Sequence, residues 1–555
     1  MPVRSHASRR LVQAGLVSTV VLLTSASPYL QQSATPRAPR LVVLLVVDQM
    51  RADYLERYDR LFSAGFRRLE TSGAWFTKAA YPYLNTVTCS GHSTIGTGTF
   101  PFHHGMVLNG WPDRARSRVP GCTEDATARN VSYNGLETGA GNSARNILRP
   151  SLGEQLRERG RGRAVALSMK PRSAIPLVGH QADAVIWFDD RGGWLTSTAF
   201  SNKPVAFLQQ FVAAHPLDAD RGKVWTKSLD AAAYAGADDV ESERPPAGTT
   251  RTFPHALDAP GSRNTGAETF FTRWQRSPFS DEYLERMAEA AIDGLSLGKG
   301  SGTDFLGVSF SALDLVGHSF GPRSHEAQDL LVRLDATIGR LLDYLDRQVG
   351  PGNYVVGFSA DHGVADLPEA AGQGGRLPAS DVKNALEQVF VPLLGVGDHV
   401  SAVVYSDVYL MPKATARLRI DGAVRKAVMD ALGKLPAVSR VLIGDDLVKA
   451  DARSSSDPVT RAAALSYYPE RSGDVIIVPK EHWLLGGSVT THGTLYGYDQ
   501  QVPLILLGAF IRPGRYAVPA SPADLSPTLA SIAGIGIAPT DGRVLKEAVE
   551  PRGVR

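Results

Sequence analysis

The 555 residues suffice for one large α/β domain with insertions or for roughly two to four ordinary domains. A hydrophobic share of 43% and a charged share of 21% give a common globular profile with ample core material. The formal net charge of +3 rests on Arg4, Arg9 and Arg10, so the chain beyond residue 33 is neutral and offers no basic excess for nucleic acid.

Those arginines precede a short apolar run, Leu11–Leu23, which is followed by Ser25, Ala26 and Ser27 and by further small residues from Ser33 to Thr35. The layout predicts a secretory signal over residues 1–33 and export to the periplasm or beyond. The run is too short to cross a bilayer comfortably, so no stable membrane span is expected once the signal is cleaved. An uncleaved N-terminal anchor is the alternative, and it also implies export. Residues 33–40 form a polar, proline-containing linker. There are two cysteines, Cys89 and Cys122. Neither lies in a C-x-x-C pattern, so both are taken as structural; export permits a disulfide, and the sequence leaves the pairing open.

Residues 41–110 read as strand, helix, strand, then a loop rich in Gly, Ser and Thr entering a second helix. Residues 111–145 hold few large apolar side chains and predict a surface loop. Strands are expected at Arg163–Met169 and Ala184–Phe188, and an irregular insertion at about 215–270. Helical spacing returns from Ser280, an N-cap candidate, to Leu295 and again over residues 325–347. Residues 366–480 predict a cap-like insertion with strands and helices of its own. The core resumes with a strand at Val502–Leu507 and a helix near Pro522–Ala533.

Three apolar runs each end in an aspartate: Leu41–Val47 before Asp48, Phe305–Leu313 before Asp314, and Tyr354–Ala360 before Asp361. Such runs read as strands buried on both faces of a parallel sheet. Carboxylates at their carboxyl ends converge where open α/β sheets bind ligands. His318 follows Asp314 by four residues and His362 follows Asp361 directly. Nitrogen and oxygen donors together suit zinc.

The stretch from Leu84 to Gly98 concentrates hydroxyls and glycines where a loop enters a helix, a place that attracts anions. A threonine there, beside a divalent metal, becomes a candidate nucleophile; by itself the segment reads as helix capping. Lys170-Pro171-Arg172 follows an expected strand and presents two cations to the same edge, although alone it reads as a solvated turn. Asn109 follows the His103-His104-Gly105 turn, and His492 lies in a Gly- and Thr-rich loop.

Taken in order, T-V-T-C-S-G-H-S-T, H-H-G-M-V-L-N, D-L-V-G-H-S-F-G-P, S-A-D-H-G and T-H-G-T resemble the alkaline phosphatase superfamily. The resemblance is to its threonine-nucleophile branch, which joins monoesterase-type alkaline phosphatases to nucleotide pyrophosphatases/phosphodiesterases. It covers nearly all of the chain after the signal and implies one catalytic domain over 38–555. The implied fold is a central, mostly parallel sheet flanked by helices, with large loop and cap insertions.

The resemblance further implies two zinc ions per chain. One would be held by Asp314, His318 and His492, the other by Asp48, Asp361, His362 and the Thr88 oxygen. Thr88 would be the nucleophile of a phosphothreonine intermediate, Asn109 would contact a phosphoryl oxygen, and Lys170 and Arg172 match the K-x-R pair of the monoesterase branch. The expected partners are small phosphate esters. Monoesters are favoured over diesters because the two cations match a dianionic group. A phosphodiesterase is the first alternative, and a secreted metal- or phosphate-binding protein without turnover is the alternative of another class. A sulfatase would need C/S-x-P-x-R, and Cys89 is followed by Ser90, Gly91, His92 and Ser93.

Overall fold

The computed structural model describes residues 38–113, 118–136, 138–246, 248–258 and 270–550. The expected signal over 1–33 and most of the linker lie outside them. Strand Leu41–Val47 is buried at every position. It lies between Asp304–Phe310 and Tyr354–Ser359 and runs parallel to both. Ala164–Ser168 and Ala184–Asp189 extend the parallel centre. The flanks turn antiparallel through Leu504–Gly508 and Ala74–Ala79 on one side and Gly193–Ser197 on the other. Among the described residues this sheet has 11 strands.

Alternation along the central strand feeds two cores. Leu41, Val43, Leu45 and Val47 pack with Leu306, Val356 and the apolar stripe of helix His325–Gln348. Val42, Leu44 and Val46 pack on the other face with Phe76, Leu177 and Leu529. A strand covered on both sides needs apolar residues at every position, which is what made these runs readable.

Residues 111–145 depart from the expected surface loop. Glu124–Ser132 and Ala140–Asn142 pair into the sheet as its last two strands on that side. Much of Glu124–Ser132 is exposed or half-exposed, and an edge strand held by backbone pairing needs few large apolar side chains. The helix expected from Ser280 starts earlier, at Pro278 behind Ser277, and runs to Gly294. Pro278 fits the first helical position because its missing N–H would have no partner there.

The apolar run before Asp314 also breaks differently. Its strand ends at Phe310, and Ala312–Phe320 is a helix that carries Asp314 in its first turn. Ala312 and Leu313 continue the apolar run across the boundary, so hydrophobicity alone hides the change.

A separate four-stranded antiparallel sheet is built by Val400–Val404, Asp407–Leu410, Val475–Pro479 and Val438–Ile443. Helices Ala379–Leu394 and Gly422–Gly433 share a core with it that includes Leu386, Phe390, Val428 and Ile477.

Helix Gly65–Ser72 starts after Ala64, which supplies no capping side chain. The buried carboxylate of Asp335, on helix His325–Gln348, takes that role by accepting from the N–H groups of Ser63, Ala64 and Phe66 at 2.8, 2.9 and 2.6 Å. Asp335→Ala strands these donors and should cost about 2–3 kcal/mol in urea unfolding. Asp335→Asn keeps one oxygen acceptor and should cost less.

Candidate active site

At the carboxyl edge of the parallel centre, two sets of donors come together. The ligand atoms of Asp314, His318 and His492 lie within 4.8 Å of one another, and so do those of Asp48, Asp361 and His362. His318 is one helical turn after Asp314, so both project from the same face of Ala312–Phe320. Its Nε2 is 3.1 Å from Asp314 Oδ1, and His492 Nε2 is 3.9 Å from the same oxygen. In the other set, His362 Nε2 is 3.2 Å from Asp361 Oδ2 and 3.6 Å from Asp48 Oδ1. The His362 and His492 rings stack with centroids 3.5 Å apart, which joins the two sets.

Each of the three imidazoles is oriented by a backbone carbonyl. His318 Nδ1 meets Thr490 O at 3.0 Å, His362 Nδ1 meets Gly363 O at 2.9 Å, and His492 Nδ1 meets Thr86 O at 2.9 Å. A carbonyl only accepts, so Nδ1 carries the hydrogen and Nε2 presents its lone pair to the carboxylates. Lone pair facing carboxylate is repulsive unless a proton or cation lies between them. Asp48 Oδ1 and Asp361 Oδ2 are buried without a hydrogen-bond partner. This donor set fits divalent cations that accept nitrogen and oxygen.

Charge is unevenly spread. Burial, reinforced by Asp314 and Asp361, raises the Asp48 carboxyl well above its ordinary range. Burial also acts on Asp314, but Lys170 and His318 outweigh it and hold that carboxyl well below. Burial depresses His492 strongly, with His362 and His318 adding to the effect. The Lys170 ammonium lies 2.6 Å from Asp48 Oδ2 and 2.5 Å from Asp314 Oδ2, so it bridges one carboxylate of each set. Arg172, two residues on in helix Pro171–Val178, has no hydrogen-bond or ion-pair partner among the described residues, and its Nε is buried.

Thr88 opens helix Thr88–Thr97 and is almost fully buried. Its Oγ1 is 3.4 Å from His362 Nε2. Asn109 is fixed beside it, since its Oδ1 accepts the Cys89 N–H at 2.9 Å. Cys89 and Cys122 form a disulfide, a pairing the sequence had left open. It ties the helix that Thr88 opens to the loop bearing Asn109, whose carbonyl accepts the Cys122 N–H at 3.0 Å. All of the candidate site residues read from the sequence therefore fall in one region.

Three further residues escaped that reading. Gln49 donates Nε2–H to Asp314 Oδ1 at 2.7 Å and its backbone N–H to Asp361 Oδ1 at 3.1 Å. His92 lies 3.1 Å from Asp361 Oδ2 and 3.0 Å from Thr88 O through Nδ1, and 2.7 Å from Ser309 Oγ through Nε2. Tyr405, from the separate sheet, accepts from Asn109 Nδ2 at 3.2 Å. Gln49 and His92 were signalled only by closeness to Asp48 and Thr88; for Tyr405 the sequence carries no signal.

The pattern of the type I phosphodiesterase / nucleotide pyrophosphatase family matches residues 42–499. The chain belongs to that family. Alkaline phosphatase PafA of Elizabethkingia meningoseptica is 33% identical over 515 residues, covering 90% of this chain and 92% of PafA. The crystal structure of wild type PafA matches with a TM-score of 0.83 at 31% identity, over 93% of this chain and 100% of that one. A PafA variant altered at one threonine, one asparagine, one lysine and one arginine has also been solved. A Myroides odoratus protein named calcium-transporting ATPase is 32% identical, covering 92% of this chain and 95% of its own. Alkaline phosphatase PhoV of Synechococcus elongatus is 30% identical over 90% of each chain. No helix among the described residues is long and apolar enough to cross a membrane.

Within this family member, contact between the Thr88 helix and the Asp361 strand end is very close. A Cβ on Gly91 would sit 2.1 Å from the Asp361 carbonyl oxygen. Gly91→Ala should therefore push the Thr88 end of the helix away from His362, lengthening the 3.4 Å separation in a structure of the variant. It should also lower stability by about 1–3 kcal/mol in urea unfolding, the usual scale of overpacking.

Proposed function

We propose that the chain is an exported, zinc-dependent alkaline phosphatase that hydrolyses phosphate monoesters through a phosphothreonine intermediate on Thr88. The observation that carries this reading is the Thr88 hydroxyl at a helix N-terminus, 3.4 Å from His362 and beside two sets of His and Asp donors. The likeness to PafA and PhoV supports the activity. The residue types altered together in the solved PafA variant are those of Thr88, Asn109, Lys170 and Arg172 here.

Asp314, His318 and His492 would hold one zinc, and Asp48, Asp361, His362 and Thr88 the other. Bound zinc would supply Lewis-acid charge that makes Thr88 a stronger nucleophile and stabilises the departing oxygen. Thr88 attacks phosphorus in line and takes the phosphoryl group, releasing the alcohol. Asn109 donates to one phosphoryl oxygen through Nδ2. Arg172, with no protein partner among the described residues, pairs its guanidinium with the dianion. Bound metal would take over the charge of Asp48 and Asp314, and the Lys170 ammonium, which now bridges them, would then be available to a third oxygen. Water then cleaves the phosphothreonine. The signal over 1–33 supports export, and residues 38–555 form the catalytic domain, with insertions at about 215–270 and 366–480.

Chelation should abolish p-nitrophenyl phosphate hydrolysis, and zinc should restore it near two equivalents per chain. Thr88→Ala, loaded with zinc, should lose several orders of magnitude in turnover. Recovery with magnesium alone, or near-normal turnover of the Thr88 variant, would overturn the mechanism.

Substrate class is tested by replacing both Lys170 and Arg172 with alanine. Monoester hydrolysis should fall at least about tenfold per residue, the scale of a lost charge-assisted contact. Hydrolysis of bis-p-nitrophenyl phosphate should fall less, because a diester carries one charge fewer. Equal losses would favour a phosphodiesterase, the reading that the family name also allows.

A further inference from the structure

Tyr405 reaches the site from the separate four-stranded sheet, in the two-residue turn between strands Val400–Val404 and Asp407–Leu410. Its φ of +51° lies in the left-handed region, which bulky side chains seldom occupy without a compensating reason. The turn is held there from the nucleophile side. Ser406 Oγ donates to Asn85 Oδ1 at 2.6 Å, and Asn85 Nδ2 donates to Asp407 Oδ2 at 2.9 Å. Asn85 is three residues before Thr88, so the turn and the nucleophile share one short stretch of chain.

The phenol ends against Asn109. Asn109 Oδ1 is already committed to the Cys89 N–H, and Nδ2 donates to Tyr405 Oη at 3.2 Å. The amide is thereby clamped at both ends, which fixes its flip and leaves its second Nδ2 hydrogen for a ligand. The Tyr405 ring stands 6.2 Å from that of His492, and a Cβ on the intervening Gly493 would meet Tyr405 Cδ1 at 3.1 Å.

We propose that Tyr405 is a positioning residue for Asn109: the separate sheet lends it to the site to hold the Asn109 amide in the orientation that binds a phosphoryl oxygen. Part of the phosphate recognition is then supplied by residues 400–410, and displacement of that turn releases Asn109. This inference rests on the phosphatase reading for the identity of the ligand. Its geometry is independent of turnover.

The test is a double-mutant cycle on the zinc-loaded full chain with Tyr405→Phe, Asn109→Ala and both together. Tyr405→Phe keeps the ring and removes only Oη. It should lower kcat/KM for p-nitrophenyl phosphate about three- to tenfold, the range of one neutral hydrogen bond, with unchanged melting temperature and zinc content. It should also weaken inorganic phosphate binding, measured by calorimetry, by a similar factor. In the Asn109→Ala background it should have no further effect on either quantity. Equal losses in both backgrounds, or a Tyr405→Phe variant indistinguishable from the parent, would overturn the proposal. If the zinc-loaded parent does not hydrolyse the ester, the phosphatase reading fails, and the phosphate-binding cycle still decides the role of Tyr405.

Discussion

Three carboxylates buried at one edge of a sheet set the terms for everything around them. Asp48, Asp314 and Asp361 are all nearly inaccessible to solvent, and burying an unpaired carboxylate costs several kcal/mol. The neighbours divide the compensation: Lys170 takes Asp48 and Asp314, His92 faces Asp361, and Gln49 donates to both Asp314 and Asp361. Compensation remains partial, since Asp48 Oδ1 and Asp361 Oδ2 accept no hydrogen bond and face only imidazole nitrogens. An edge of this sign repels an anionic ester, so phosphate chemistry here requires cations that invert it. The three Nδ1–carbonyl bonds serve the same end, because they hold nitrogen lone pairs toward the oxygens.

The fold meets this demand by placing ligands on elements that cannot drift. Asp48 directly follows one buried parallel strand and Asp361 lies two residues beyond the end of its neighbour, and Asp314 and His318 share one helix face. The segment before Thr88 links the remaining parts. Asn85 holds Ser406 and Asp407 of the separate sheet, Thr86 O receives His492 Nδ1, and Thr88 carries the hydroxyl. Arg471 adds a second link between the separate sheet and the loops beside the site, donating to Gly105 O at 2.8 Å and Asn146 O at 2.6 Å. The separate sheet is thus part of the site's wall, in direct contact with the loop that leads into Thr88.

What the sequence disclosed follows physical rules that act locally. Strands buried on both faces must be apolar throughout, so the runs leading to Asp48 and Asp361 stood out. The run before Asp314 was also visible, but its strand-to-helix boundary was hidden because Ala312 and Leu313 suit either state. The last two strands on one side, Glu124–Ser132 and the edge strand Ala140–Asn142, are held by backbone pairing, which leaves no apolar signature. Placement of His492 and Asn109 came from the order of motifs in the family, since an isolated histidine or turn asparagine says little. Tyr405 was invisible for a deeper reason: its contact with Asn109 spans 296 residues and depends on how two sheets pack.

The assignment of charge to roles can be taken one step further by asking which polar groups the protein has left unused. Lys170 is engaged by two carboxylates, His92 by Asp361 and Ser309, and Asn109 by Cys89 and Tyr405. Arg172 has no such engagement among the described residues, although its Nε is buried. A buried guanidinium nitrogen without an acceptor is costly unless a ligand supplies one. On the proposed reading, Arg172 is therefore the cation an incoming phosphoryl group would meet without first displacing a partner among the described residues. Lys170 would join only once the carboxylates it bridges were neutralised, so its contribution would be conditional on bound metal. Two cations two residues apart would thus answer to different events, one to substrate and one to the state of the centre.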